Sequence, residues 1–325
     1  MRVLLAHTPQ MRRDYYGERS LSGLRAVADV KLHKGDDALD AAALVCAAEE
    51  VDIIVADRMT AGPGEIFPLL PKLRAFVRCA VDIRNIDVSA ASAAGVLVTQ
   101  ASAGFVQSVA ELALGFMVDF SRGVSRATAD YHAGRKPEVA MGRQLAGSTI
   151  GIIGYGSIGR YLASIAKVLG MQVLVADPFV RPEDPAISHL PLDDLLARAD
   201  YVVCLAVANE QTENLIGQAA LARMQRHAVF INLSRGNLVD EAALAAALRE
   251  GRIAGAAMDV GRAPDQMPSP ELAKLTSVIA TPHVGGLTPQ AIEHQSSETV
   301  RQVAKIVAGE IPVGAVNGDR WRRRP

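Results

Sequence analysis

The sequence predicts an α/β fold with two domains, each built on a parallel sheet. Three observations carry this. Short runs rich in valine and isoleucine recur without polar alternation, as strands buried on both faces read. Helix-forming segments lie between the runs, and that rhythm implies parallel strands joined by crossover helices. The chain has 325 residues, half of them hydrophobic, which at roughly 100–200 residues per domain favours two domains with sizeable cores.

In chain order, residues 3–6, 51–56, 75–81 and 96–99 read as the strands of a first sheet, with helix formers over 38–49. A long stretch, 105–131, carries Val109, Leu112, Ala113, Phe116, Met117 and Phe120 at helical spacing. It reads as one helix at a domain boundary, serving as an interdomain strut or a dimer contact. A second series then begins. Its strands are 149–153, 172–176, 201–207, 229–233, 256–259 and 278–280, with helices over 158–169, 192–199 and 241–250. Six strands in this pattern match a dinucleotide-binding domain in size. The amphipathic segment 289–308 is expected to return the chain to the first domain. The expected division is therefore 1–101 with 287–325, and 102–286.

Charge and composition narrow the function. With 34 basic and 35 acidic residues, the chain has no general electrostatic footprint for nucleic acid. No run of 18 apolar residues is free of charged and polar groups, so no membrane span is expected. The first residues turn polar too soon for a signal peptide, and the chain reads as a soluble cytoplasmic protein. Cys46, Cys79 and Cys204 lie far apart without metal-like spacing and are expected to be small core residues. No metal is expected. The basic run Arg320, Arg322, Arg323 and Arg324 reads as a solvated, partly frayed tail.

The strongest local signal is Gly154-Tyr155-Gly156-Ser157-Ile158-Gly159, which follows a predicted strand and opens a predicted helix. That context gives the pattern its meaning. Gly154 permits the tight turn, Gly156 has no side chain to block a pyrophosphate, and Gly159 lets the helix pack closely on the strand. Amides at the helix start then face phosphate charge. The next strand ends at Asp177, 18 residues after Gly159. A carboxylate there accepts hydrogen bonds from ribose hydroxyls and repels the extra phosphate of NADP, which favours NAD. Arg181 follows soon after and slightly weakens that preference.

Ligands of open α/β sheets bind outside the carboxyl ends of strands. Arg235 and His283 both follow predicted strands. Hydride transfer to a 2-oxo acid needs such a pair: a guanidinium to hold the carboxylate with two parallel hydrogen bonds, and a proton donor working near neutral pH. The other six histidines lack this context and are read as structural.

The segments 154–159, 232–240 (Asn-Leu-Ser-Arg-Gly-Asn-Leu-Val-Asp), 255–260 (Gly-Ala-Ala-Met-Asp-Val) and 281–286 (Thr-Pro-His-Val-Gly-Gly) resemble four successive motifs of the D-isomer-specific 2-hydroxyacid dehydrogenases. They stand in family order, and Asn85-Ile-Asp87 extends the likeness to the first domain. The resemblance implies two Rossmann-like or flavodoxin-like doubly wound domains, the substrate domain discontinuous, and a homodimer. It implies Arg235 as carboxylate binder, His283 as acid/base and Asp259 near the nicotinamide carboxamide. Cofactor contacts are also expected at Val207, Ser234, Gly285 and Gly286, with Arg235 and His283 touching the cofactor as well, and substrate contacts at Val81, Asp82 and Ile83 besides Arg235.

Three positions depart from the family pattern. Five residues after Asp259, where members usually carry a glutamate that orients the histidine and raises its pKa, stands Pro264. Asp265 either moves its shorter carboxylate toward His283 or caps a turn. Asp82 takes a place where glycine is usual, and would repel an anionic substrate unless it turns away or pairs with Arg84. Ala206 stands where many members have histidine. The expectation is NAD-dependent hydride transfer to a small 2-oxo acid. The alternatives are an NAD-responsive regulatory protein with weak catalysis, and an NADP-linked glyoxylate or hydroxypyruvate reductase using Arg181.

Overall fold

In a computed structural model, which describes residues 1–263 and 265–325, the apolar runs become strands of two parallel sheets. The first segment holds β1 (Arg2–Leu5), α1 (Pro9–Tyr15), α2 (Gly17–Val27), β2 (Asp29–Leu32), α3 (Ala41–Ala48), β3 (Ile53–Ala56), α4 (Ile66–Leu69), β4 (Ala75–Arg78), α5 (Val88–Ala93) and β5 (Leu97–Thr99). Then come α6 (Val106–Arg122), α7 (Val124–His132), β6 (Thr149–Ile153), α8 (Ser157–Val168), β7 (Gln172–Ala176), β8 (Ile187–His189), α9 (Leu192–Leu196) and β9 (Tyr201–Cys204). The chain continues through α10 (Gln218–Arg223), β10 (Val229–Asn232), α11 (Glu241–Arg249), β11 (Gly255–Met258), α12 (Pro270–Ala273), β12 (Val278–Ala280) and α13 (Pro289–Val307). Two compact units result, Met1–Gly104 with Pro289–Pro325, and Phe105–Thr288.

Unit 1 carries five parallel strands in the order β2-β1-β3-β4-β5. Successive residues along each strand face opposite sides. Val3, Leu5, Ile53, Val55, Ala75 and Val77 meet Leu21 and Leu24 of α2 and Val303 and Ile306 of α13. Leu4, Ile54 and Phe76 meet Leu44 of α3 and Phe67 of α4 on the other side. Each such side chain, fully buried, contributes about 1.5–3 kcal/mol. Asp40 and Asp87 start α3 and α5 by accepting the amides of Ala43 and Ala90, each at 2.8 Å.

Unit 2 carries seven parallel strands in the order β12-β11-β10-β9-β6-β7-β8. The order in which the chain adds strands reverses between β6 and β9, the switch point at which doubly wound sheets bind ligands. One face packs on α6 and α8 through Val109, Ala113, Phe116, Leu162 and Ala166. The other packs on α9, α10 and α11 through Leu195, Leu221, Leu244 and Leu248.

Four expectations are corrected. The sheets contain β2 and β8, which the sequence did not offer as strands; both are edge strands, half-exposed, with Asp29, Lys31, Ser188 and His189 interrupting the apolar run. The stretch 105–131 is not one helix, because Gly123 at φ +65° ends α6 in a left-handed turn before α7 starts. Cys46 is exposed, since Leu44 and Ala48, one helical turn apart, take the buried face of α3. The basic tail is docked. Trp321 is buried and donates from Nε1 to the Arg74 carbonyl at 3.1 Å, and Arg323 Nη1 donates to the carbonyls of Leu70 (2.6 Å) and Leu73 (2.8 Å). Among the described residues no helix is long and apolar enough to cross a membrane.

Candidate active site

The glycine-rich turn follows β6 at the switch point. Gly154 has φ +94°, and a Cβ there would lie 2.7 Å from the Ala206 amide nitrogen. A Cβ at Gly159 would lie 2.4 Å from the Gly154 carbonyl oxygen, whereas one at Gly156 would meet nothing within 4 Å. The first and third glycines therefore serve packing, and the second keeps open a cradle of the kind a pyrophosphate fills. Helix α8 starts at Gly156 without a side-chain cap, so the amides of Ser157 and Ile158 stand at an N-terminus suited to an anion.

Asp177 ends the neighbouring strand. Its Oδ2 accepts the Tyr155 amide at 2.7 Å, and its Oδ1 accepts those of Phe179 and Val180 at 2.8 and 2.9 Å. Burial pulls its pKa up, but these three amides, together with His189, outweigh it and hold the group below the usual carboxylate range. A carboxylate has about four acceptor positions, so one remains for a ribose hydroxyl. Arg181 is exposed.

Arg235 follows β10 with extended backbone, φ −145° and ψ 152°. Its Nη1 donates to the Ser234 carbonyl at 2.7 Å. Ser234 in turn donates from Oγ to the Ala206 carbonyl at 2.6 Å. Asn232, the fully buried last residue of β10, accepts the Ser234 amide at 3.1 Å and donates to the Arg235 carbonyl at 2.9 Å. Val207, beyond β9, is exposed. The loop after β10 lies tight on the loop after β11: a Cβ at Gly236 would fall 2.1 Å from the Gly261 backbone.

His283 follows β12 in a left-handed conformation, φ +56°, and its amide donates to the Thr281 carbonyl at 3.0 Å. Asp259, 2% exposed, holds this loop. Its Oδ1 accepts Thr281 Oγ1 (2.6 Å) and the Val284 amide (2.8 Å), and its Oδ2 accepts the Gly285 amide (2.8 Å). Three of about four acceptor positions are thus used within the chain. Gly285 lies so close that a Cβ would sit 2.9 Å from Asp259 Oδ2, and one at Gly286 would meet Phe105 at 3.3 Å. Asp265 is exposed, and its Oδ1 accepts the Met267 amide at 3.0 Å, the geometry of a turn cap. Pro264, where the family glutamate is missing, lies outside the described residues.

In unit 1, Val81, Asp82 and Ile83 follow β4. Asp82 pairs with Arg84, whose Nε reaches Oδ1 at 3.0 Å and whose Nη2 reaches Oδ2 at 2.6 Å. The pair raises the Arg84 pKa and offsets the charge that would repel an anion. Burial pushes the thiols of Cys79 and Cys204 up to about 12, so neither is a thiolate at neutral pH. Among the described residues no group of three or more histidines, cysteines or carboxylates could hold a metal.

Unit 2 thus brings the glycine cradle, Asp177, Arg235, Asp259 and His283 to the carboxyl edge of one sheet. Sequence reasoning missed Asn232 and Thr281. Both open a quoted motif, and each is a polar residue at a strand end.

Residues 114–285, more than half of the chain, match the model of the "D-isomer specific 2-hydroxyacid dehydrogenase, NAD binding domain". The chain is 35% identical over 287 residues to D-3-phosphoglycerate dehydrogenase of Mycobacterium leprae, a match covering 87% of this chain and 54% of that protein. It therefore spans about half the length of that relative. Glyoxylate reductase of Korarchaeum cryptofilum is 30% identical over 316 residues, covering 95% of each chain. Among solved structures, the TT0316 protein from Thermus thermophilus superposes with a TM-score of 0.87 at 28% identity, covering 97% of this chain and all of that one.

Proposed function

This chain belongs to the D-isomer specific 2-hydroxyacid dehydrogenase family, and from that premise we propose that it is an NAD-dependent oxidoreductase acting on a small 2-oxo acid. The observation that carries the reading is the meeting of Arg235, His283 and a glycine cradle on one sheet edge. Gly154, Gly156 and Gly159, with the amides of Ser157 and Ile158, fit a dinucleotide pyrophosphate, and Asp177 fits an unphosphorylated ribose. NADH, when bound, supplies the hydride. Arg235 holds the substrate carboxylate through paired charge-assisted hydrogen bonds and polarises the neighbouring carbonyl. His283 gives its proton to the carbonyl oxygen as negative charge develops there, and in the reverse direction accepts it from the 2-hydroxy acid. In unit 1, the backbone amides of Val81 to Ile83 are the proposed further contacts for the substrate anion. Asp265 is assigned to its turn rather than to His283.

We further infer a homodimer in the cytoplasm. Val124, Tyr131, Val139 and Met141, all strongly exposed within one stretch of unit 2, are the kind of apolar surface a second copy covers. The three cysteines are free thiols, as a reducing compartment keeps them.

The test is NADH oxidation by the purified protein against a panel of 2-oxo acids, with NADPH in parallel. Turnover with NADH on at least one acid, lost in His283→Ala while NADH affinity stays within about twofold, is the expected result. A His283→Ala enzyme retaining most of its activity overturns the assigned role. Binding of NADH with no turnover on any acid favours an NAD-responsive binding protein. A much tighter NADPH complex overturns the cofactor assignment. Light scattering that finds only monomer removes the dimer.

A further inference from the structure

The loops that present Arg235 and His283 have no regular secondary structure across the residues concerned, yet hydride and proton transfer tolerate little misplacement of either. What fixes them is a set of buried polar groups at the ends of two adjacent strands. Asn232 closes β10 and bonds the loop on both sides of its own side chain, accepting from Ser234 and donating to Arg235. Asp259 follows β11 and takes three donors from residues 281–285. The two are joined directly, because the Asp259 amide donates to the Asn232 carbonyl at 3.2 Å. Both residues are 2% exposed or less. A buried polar group left unpaired is costly, so each bond in the set enforces the next.

The donors on the histidine loop bracket His283 on either side. Thr281 lies two residues before it, Val284 and Gly285 immediately after. The bracket holds a backbone conformation that non-glycine residues rarely adopt. Without the clamp, the loop would relax toward ordinary φ values and swing the imidazole.

We propose that Asn232, Asp259 and Thr281 form one brace that sets the positions of Arg235 and His283, and that they are positioning residues for the reaction. This rests on the reading of Arg235 and His283 as the residues that handle the substrate. Asp259 uses three of about four acceptor positions within the chain, so the brace does not exclude a cofactor contact. Thr281, to which no cofactor contact is assigned, isolates the positioning role.

The experiment compares wild type, Thr281→Val, Thr281→Ser and His283→Ala. Valine keeps the shape of threonine and removes the bond to Asp259; serine restores the hydroxyl. Steady-state kinetics are read on the 2-oxo acid turned over fastest, with NADH affinity by fluorescence titration. Because small misplacements near reacting atoms cost up to about 100-fold, Thr281→Val is expected to lose about tenfold or more in kcat, with the NADH dissociation constant within about twofold and kcat recovered in Thr281→Ser. A Thr281→Val enzyme within about twofold of wild type in kcat overturns the brace, as does a loss that serine fails to restore. An active His283→Ala enzyme overturns the underlying reading instead. Amide hydrogen exchange over residues 281–287 without substrate decides the matter independently of turnover. Protection falling about tenfold in Thr281→Val and returning in Thr281→Ser supports the brace; unchanged exchange overturns it.

Discussion

At the scale of single residues, environment separates groups of similar chemistry. Asp259 is buried and carries three bonds, whereas Asp265 is exposed and carries the Met267 amide. Asp265→Ala is therefore expected to lower kcat less than about threefold, while removal of the proton donor proposed at His283 is expected to cost about 10²–10⁴-fold; parallel kinetics of the two variants check this. His7 shows the same principle in unit 1. It is fully buried at the end of β1 with its ring edge on Tyr16. Burial, aided by Arg12 and Arg78 against the pull of Asp57, lowers its pKa from 6.5 to about 4. The unfolded chain then binds the proton more readily, so stability from neutral His7 is complete above about pH 6.5 and is lost as pH falls toward 4. A shift of that size corresponds to about 3 kcal/mol. Urea unfolding at pH 7 and pH 4 is expected to show a smaller acid loss for His7→Phe than for wild type, and equal losses would remove the assignment. Arg235 and His283 were offered by the sequence because each stands in a motif just after a strand. Asn232 and Thr281 open the same motifs but were given no role, because only the folded chain reveals their partners across the loop.

At the scale of elements, what the sequence disclosed follows unbroken apolar runs. Strands β6, β7 and β12 coincide with the expected 149–153, 172–176 and 278–280, and the central strands β1, β3, β4 and β9 to β11 fall within or beside their runs. Edge strands β2 and β8 escaped because polar and charged residues interrupt them, whereas the edge strands β5 and β12 keep short apolar runs. The break at Gly123 escaped because the apolar spacing continues across it. The glycine-rich turn separates folding from binding. Gly154→Ala adds a Cβ into the Ala206 backbone at positive φ and is expected to destabilise unit 2 by more than about 1 kcal/mol. Gly156→Ala adds a Cβ only to open space, and is expected to cost less than about 1 kcal/mol at the start of α8 while weakening NADH binding at least about tenfold. Calorimetry and titration on both variants check the contrast. A Gly156→Ala protein that binds NADH normally would mean the cradle faces something else.

At the scale of the whole molecule, each sheet is covered on both faces by helices of its own unit, so each unit has a complete core. Unit 1 is assembled from two distant stretches of chain. Its second stretch supplies α13, which buries Val303 and Ile306 against α2 and the sheet, and Trp321, which closes the same core. The tail is thus part of the unit's packing. Replacing a buried tryptophan by alanine costs about 3–5 kcal/mol, and in Trp321→Ala that cost falls on unit 1. NADH acts on the other unit: at about 100 times its dissociation constant a ligand stabilises the folded form that binds it by about 2.7 kcal/mol. Two independent handles follow, one for each core. Scanning calorimetry should resolve two transitions, with Trp321→Ala lowering one and NADH raising the other. If both perturbations move a single transition, the cores unfold together and the chain is one cooperative unit despite its two sheets.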